Sequence, residues 1–215
     1  GLHTTPKHPR IMINLTNEDN MELMKRYPDN YFELAIVDPP YGINVNNSMG
    51  RRKGEKKSPH KKVDWDNEIP SKEYFIELFR ISKNQIIWGG NYFTDYLTPS
   101  KCWILFDKLF SEDLTFSQFE LAWASFDSMT KKFTYTPARI KRIHPTQKPV
   151  KLYEWLLMRY AKEGDKILDT HLGSASIAIA CHNLGFDLVG CELDKEYYEA
   201  ACKRLKRHQQ QLTMF

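Results

Sequence analysis

Apolar runs and amphipathic segments alternate along this chain, and that alternation is the strongest limit on how it can fold. Runs such as ELAIVD, NQIIWGG and FDLVGCELD are typical of buried strands, whereas SKEYFIELFRIS and KPVKLYEWLLMRYA space their apolar residues by three and four, as helices do. Repeated β-α units predict an α/β sandwich with a mostly parallel sheet. Ligands bind such sheets at the carboxyl ends of strands, where Asp38, Asp169 and Glu192 are expected.

The size and composition suit one globular domain. The chain has 215 residues, of which 41% are apolar, enough to bury a core. Its apolar runs are all much shorter than the about 20 residues that span a membrane, so no membrane association is expected. The four cysteines form no C-x-x-C pair, and no His/Cys/carboxylate spacing favours a metal. A cytoplasmic protein without a metal site is the expectation.

The stretch LAIVDPPYGI, residues 34–43, ends a predicted buried strand with an acid, two prolines and a tyrosine. A residue before proline is held extended, so Asp38 should project beyond the strand end. Proline has no N–H to donate, so the carbonyl of Pro39 can face a pocket, and Tyr41 offers a flat face. Two acceptors beside an aromatic ring fit the exocyclic amine of a nucleobase. The predicted catalytic residues are Asp38, Pro39, Pro40 and Tyr41.

Hydrogen bonds to both N–H groups of such an amine free its lone pair for attack on an electrophilic methyl group. Positioning of the two reactants accounts for much of the rate of such a transfer. A base inside a duplex cannot reach a pocket of this kind. The base must therefore be flipped out of the helix, at a cost of a few kcal/mol.

A second motif, ILDTHLGSASIAIA, reads as a strand, a glycine turn and a helix. Small residues let a ligand approach the backbone, and the helix start offers free N–H groups. Glu192 follows about twenty residues after the turn, where an acid can bind ribose hydroxyls. The pattern is compatible with NAD, FAD, S-adenosylmethionine or a unit without ligand. The absence of G-x-G-x-x-G disfavours a pyrophosphate.

The segment RRKGEKKSPHKK concentrates positive charge: seven Lys/Arg against one acid give +6, on a chain whose net charge is +4. A basic loop directly after the catalytic motif predicts contacts with DNA phosphates, and a solvated loop without a partner is the alternative. The predicted DNA-binding residues are Arg51, Arg52, Lys53, Lys56, Lys57, Lys61 and Lys62, together with Arg139 and Arg142. For the last two, solvation of a strand edge is the alternative.

Four motifs follow one another along the chain in the order DPPYGI, HPTQKP, LDTHLGSAS and GCELD. In this order they resemble the motifs of the beta group of the DNA amino-methyltransferases, which methylate adenine N6 or cytosine N4. The resemblance covers roughly residues 11–207. It implies a Rossmann-like methyltransferase fold, circularly permuted, with helices on both faces of the sheet and S-adenosylmethionine as methyl donor. The acidic first residue of DPPY is the usual adenine-N6 form, so it also implies methylation of adenine N6 at specific sites in DNA.

The resemblance implies a donor site built from both halves of the chain. The glycine turn would line the methionine part, Glu192 the ribose, HPTQKP the carboxylate, and the segment before the catalytic strand the adenine. The donor-binding residues so implied are Asp19, Asp38, His144, Thr146, Lys148, Asp169, His171, Gly173, Ser174 and Glu192. His171 and Ala175 stand where the family's turn has a phenylalanine and a second glycine, and Ala175 is expected to narrow the pocket slightly.

A single methyltransferase domain is predicted over residues 11–207, with a basic loop at 44–63 and a short target-recognition segment at 108–143. Residues 1–10 and 208–215 are expected to be flexible tails. The compact form resembles enzymes of phages and mobile elements, which implies a bacterial or phage-encoded protein, and a homodimer is plausible by resemblance. The alternatives are a cytosine-N4 or RNA methyltransferase, or a non-catalytic DNA-binding subunit.

Overall fold

The structure is a computed structural model that describes residues 10–42, 68–109, 117–135 and 147–212. Within these ranges the chain forms eight strands and five helices. The strands are Ile13–Asn17 (β1), Phe32–Val37 (β2), Ser82–Trp88 (β3), Trp103–Asp107 (β4), Phe119–Ala124 (β5), Lys131–Thr134 (β6), Lys166–Asp169 (β7) and Asp187–Glu192 (β8). The helices are Asn20–Lys25 (α1), Lys72–Ile81 (α2), Val150–Tyr160 (α3), Ser176–Leu184 (α4) and Lys195–Leu212 (α5).

All eight strands join one sheet in the order β1-β8-β7-β2-β3-β5-β4-β6. Neighbouring strands run parallel except that β5 is antiparallel to both β3 and β4. The prediction of a mostly parallel α/β sheet is therefore confirmed. Strand β2 comes early in the chain and β7 late, yet they are neighbours, with Leu34 opposite Ile167. This arrangement brings the carboxyl ends of the DPPY strand and the glycine-turn strand side by side.

Helices cover both faces of the sheet because alternate residues of each strand point to opposite sides. Leu34 and Ile36 of β2 pack in a cluster with residues of α3, α4 and α5. Ala35 and Val37 of the same strand pack in a second cluster, with residues of α1 and α2. No helix in the described ranges is long and apolar enough to cross a membrane.

The predicted helix starts are confirmed by their caps. Asp19 accepts a hydrogen bond from the backbone N–H of Met21 at the start of α1, and Ser71 accepts one from Tyr74 at the start of α2. Helix α4 ends at Gly185, whose φ of 81° is the left-handed conformation that glycine adopts freely.

Four elements differ from the sequence-based expectation. Strands β1 and β6 were not predicted, because each is only partly buried and neither shows a strong apolar pattern. The segment NYFTDYL, predicted as a short helix, forms only a 3-10 turn over Gly90–Tyr92. Helix α5 continues to Leu212, so residues 208–212 are helical where a flexible tail was expected.

Packing on α2 gives a matched test of the core. Leu78 is fully buried, whereas Ile76 on the same helix is 54% exposed. Leu78→Ala should lower the free energy of unfolding by about 2–5 kcal/mol, because it removes buried methyl groups and leaves a cavity. Ile76→Ala should change it by less than about 0.5 kcal/mol. Urea unfolding of both variants measures the difference, and equal losses would contradict this packing.

Candidate functional site

A cavity of about 440 Å³ opens at the carboxyl ends of the central strands. Its volume is within the range of about 300–1,000 Å³ that is usual for small-molecule sites. Loops after β1, β2, β7 and β8 all contribute to its wall. The predicted site residues that line it are Asp19, Asp38, Pro40, Lys148, His171, Gly173, Ser174 and Glu192.

Asp38 follows β2 directly and both of its carboxylate oxygens are engaged. The hydroxyl of Tyr41 donates to Oδ1 at 2.6 Å, and the ammonium of Lys148 donates to Oδ2 at 2.6 Å. Burial raises the pKa of the Asp38 carboxyl, and the positive charge of Lys148 opposes that shift only in part. The DPPY acid is thus held by two donors, one from its own motif and one from the HPTQKP segment.

Lys148 is 3% exposed and lies between two carboxylates. Besides Asp38, it contacts Oε2 of Glu120 at 2.9 Å, and Lys108 contacts Oε1 of Glu120 at 2.9 Å. Burial alone would lower the pKa of Lys148, but attraction to Asp38 and Glu120 outweighs it, so the pKa lies above its ordinary value and the ammonium persists. Burial acts to raise the pKa of Glu120, yet the two lysines lower it to about 2.

Glu120 was not among the predicted site residues. It lies on β5, in the segment FELAWASF, which reads as a core strand. A charged residue near the start of an otherwise apolar strand was the one available signal. Lys108, which directly follows β4, places its ammonium on Glu120.

The ring of Tyr41 lies between the end of β3 and the 3-10 turn. It stacks on Tyr92, with ring centroids 5.1 Å apart and planes inclined by 17°. A Cβ on Gly89, where φ is +73°, would lie 2.2 Å from Cε1 of Tyr41. Gly89, the first of the two glycines in NQIIWGG, is therefore required for the Tyr41 ring to occupy its place, and Tyr92 covers one face of that ring.

The glycine turn after β7 is held by two acids. The backbone N–H of His171 donates to Oδ1 of Asp169 at 2.9 Å, and that of Gly173 donates to Oε2 of Glu192 at 2.9 Å. Asp169 is buried beneath the turn, and its burial raises its pKa to about 8, with the negative charges of Asp38 and Glu192 adding to the shift. Burial also raises the pKa of Glu192.

His171 is a neutral wall residue of the cavity, because burial lowers its pKa to about 4. Its Nδ1 lies 2.9 Å from Oγ1 of Thr170, and its Nε2 lies 3.2 Å from Nδ2 of Asn20. These contacts join the glycine turn to α1. Ala175 does not narrow the cavity as expected: it is fully buried in the core, with a φ of +60°.

Several predicted residues cannot be placed by this geometry. His144, Thr146, Arg139, Arg142 and the seven basic residues of 51–62 lie outside the described ranges. Pro39 and Asp169 are buried and are not among the residues that line the cavity. Among the described residues, no group of three or more His, Cys, Asp or Glu side chains is arranged to hold a metal ion.

The titration of Asp169 makes stability depend on pH in the ligand-free protein. The folded state holds this proton up to a pKa of about 8, whereas an unfolded aspartate releases it near about 3.9. The folded state therefore binds more protons, and stability should decrease as pH rises from about 6.5 to 8. His171 opposes this trend only below about 6.5, the pKa of an unfolded histidine. Asp169→Asn should flatten the slope of urea-unfolding free energy against pH, and an unchanged slope would contradict the shift.

Comparison with known proteins agrees with this architecture. The family model described as DNA methylase (N6_N4_Mtase) matches residues 91–203. The Type II methyltransferase M2.DpnII of Streptococcus pneumoniae is 24% identical over an alignment that covers 95% of this chain and 94% of that protein.

Two solved structures show the same fold. The M1.HpyAVI–SAM complex superposes with a TM-score of 0.61 at 18% identity, covering 90% of this chain and 99% of that one. The PvuII DNA methyltransferase, described as cytosine-N4-specific, gives a TM-score of 0.61 at 11% identity, covering 93% and 90%. The predicted methyltransferase fold is confirmed. Because the family match spans more than half of its length, this chain belongs to the DNA methylase family and is a DNA methyltransferase, as its sequence predicts.

Proposed function

We propose that this protein transfers the methyl group of S-adenosylmethionine to the N6 amine of an adenine flipped out of duplex DNA, at a specific site. The observation that carries the proposal is the single cavity shared by Asp38 and the glycine turn. An acceptor for a substrate amine and a site for the methyl donor then lie within one volume, as direct transfer requires.

The residues around the glycine turn fit S-adenosylmethionine. When bound, this cofactor supplies an electrophilic methyl carbon on a sulfonium. Gly173 has a φ of +55°, and it lets the backbone turn closely around a ligand. Glu192 lines the cavity at the end of β8, where its carboxylate can accept from ribose hydroxyls, and Leu172 and Leu193 add apolar surface. M1.HpyAVI, which shares the fold, was solved as a SAM complex.

Asp38 retains the capacity to hold the target amine. A carboxylate has about four acceptor positions, and Tyr41 and Lys148 use one on each oxygen. A remaining position can accept one N–H of the amine, and the carbonyl of Pro39 can accept the other. Asp38 thereby orients the nitrogen lone pair and balances the positive charge that grows on it during attack.

The choice of adenine rests on the acid that opens DPPY, since the family model itself spans N6 and N4 enzymes. Duplex DNA as the form bound, base flipping and a bacterial cytoplasmic setting belong to the same proposal, supported by the bacterial Type II relatives. A homodimer remains a prediction from resemblance.

Labelled donor identifies the product. Incubation with methyl-labelled S-adenosylmethionine and duplex DNA, followed by digestion to nucleosides, should place the label in N6-methyladenine. Label in N4-methylcytosine, label only in RNA, or no transfer at all would each refute the proposal. Asp38→Asn should lower the rate by about 100-fold or more, because it removes the charge that faces the amine.

Two glycines provide a matched pair for the role of Tyr41. Gly89→Ala should displace the Tyr41 ring and so disturb Asp38, whereas Gly164, with φ of +88°, has no atom within 4 Å of its would-be Cβ. Both alanines adopt a left-handed φ at a cost of about 1–2 kcal/mol. Methylation should fall more than about tenfold in Gly89→Ala, since small misplacements near the chemistry are costly, and stay near wild type in Gly164→Ala. Equal activities would contradict a role for Tyr41.

The basic loop remains a sequence-based prediction, since residues 51–62 lie outside the described ranges. Replacing Lys56, Lys57, Lys61 and Lys62 with Ala should flatten the slope of log affinity for DNA against log salt, by up to roughly 0.9 for each lost phosphate contact. A control variant with four exposed lysines changed elsewhere, Lys25, Lys101, Lys151 and Lys195, should leave the slope unchanged. An unchanged slope in the loop variant would remove its phosphate role.

A further inference from the structure

Four charged side chains form a row that leads from the outer strands to the catalytic acid. Lys108 contacts Glu120 at 2.9 Å, Glu120 contacts Lys148 at 2.9 Å, and Lys148 contacts Asp38 at 2.6 Å. The exposed fractions of these side chains are 13%, 24%, 3% and 13%, so the row is largely shielded from water. Two cations alternate with two anions, and their formal charges cancel.

The geometry points to Glu120 as a positioning residue for methyl transfer: it holds the ammonium of Lys148 between two carboxylates, so that Asp38 keeps acceptor capacity for the target amine. This inference rests on the proposed function and adds a residue to it. Glu120 itself does not line the cavity, so it acts through Lys148 and not by contact with substrate.

The ammonium of Lys148 is shared between two anions. An ammonium has three donors, and here Asp38 takes one, Glu120 takes another, and the ring of Trp88 lies 5.1 Å from Nζ. If Glu120 were uncharged, the buried ammonium would have one anion instead of two. It would then turn its whole attraction onto Asp38, because buried charges interact strongly where water is excluded. The Asp38 carboxylate would then pair more tightly with the ammonium, at the atoms that must face the amine.

The strand arrangement explains why this residue comes from β5. Glu120 lies opposite Phe106 of β4, and β5 also pairs with β3, the strand next to β2. The antiparallel insertion of β5 between β3 and β4 therefore delivers a carboxylate toward the HPTQKP lysine. Lys108, which directly follows β4, supplies a second cation, and it lowers the pKa of Glu120 beyond the effect of Lys148 alone.

The charges around Asp38 set the direction of a pH effect. Lys148 and Tyr41 contact it directly, and Asp169 and Tyr153 interact with it electrostatically. The negative charge of Glu120 raises the pKa of Asp38, so loss of that charge should lower this pKa. Loss of the Lys108 charge leaves an excess negative charge in the row and should raise it.

The experiment measures kcat against pH at saturating concentrations of S-adenosylmethionine and duplex DNA. In Glu120→Gln, the plateau value of kcat should fall by at least about tenfold. The acid limb of the kcat–pH profile should move to lower pH, because Asp38 ionises more readily. In Lys108→Met, the acid limb should move to higher pH. The control is Glu33→Gln, which removes a carboxylate of similar exposure (23%) that pairs with Lys166 and Lys83, two lysines outside the site. The control should change neither plateau nor limb.

Shifts of opposite sign in Glu120→Gln and Lys108→Met are a result that a merely structural role would not produce. The inference would be overturned if the acid limbs of both variants coincided with that of the control, or if both moved in the same direction. If Glu120→Gln fails to fold, as judged by its thermal melting and donor binding, the upward shift in Lys108→Met decides alone. A wild-type protein that does not methylate adenine refutes the proposed function, whereas an active wild type without these shifts refutes only the role of Glu120.

Discussion

The parallel pairing of β2 with β7 is the constraint on which the rest of this molecule depends. It sets two strands from distant parts of the chain side by side, so that Asp38 and the glycine turn leave the sheet at the same edge. Without that pairing, Asp38 and the glycine turn would not line one cavity. The neighbouring strands β8 and β1 extend the same edge and add Glu192 and Asp19 to the cavity wall.

The site concentrates charge in a setting that water barely reaches, and its ionisation states follow from that. Asp169 lies among other acids, so burial and repulsion raise its pKa to about 8. Burial acts to raise the pKa of Glu120, which is 24% exposed, but the two lysines that contact it lower that pKa to about 2. The charged partners therefore account for much of the difference. Asp38 is intermediate, since Lys148 offsets only part of the effect of burial. Such contrasts between neighbouring carboxyls are common where groups must serve different roles in one reaction.

Aromatic side chains pack closely around the DPPY motif. The Tyr41 ring rests against Gly89 and under Tyr92, and its hydroxyl is committed to Asp38. A flat ligand stacked on the covered face of Tyr41 would have to displace the Tyr92 ring, which is 43% exposed and so has space in which to move. The position of Tyr92 and that of the Asp38 carboxyl are therefore linked through Tyr41.

The sequence by itself determined the parts of this protein that local rules govern. Asp19 and Ser71 begin helices because their side chains cap free N–H groups, the prolines hold Asp38 extended, and the motif order identified the family. Tertiary structure alone decided that Glu120 meets Lys148, that Tyr92 covers Tyr41, and that the methyl of Ala175 enters the core and not the cavity. These contacts join residues through strand register and loop packing. Neither leaves a periodic or compositional trace in the chain, which is why only the folded molecule shows them.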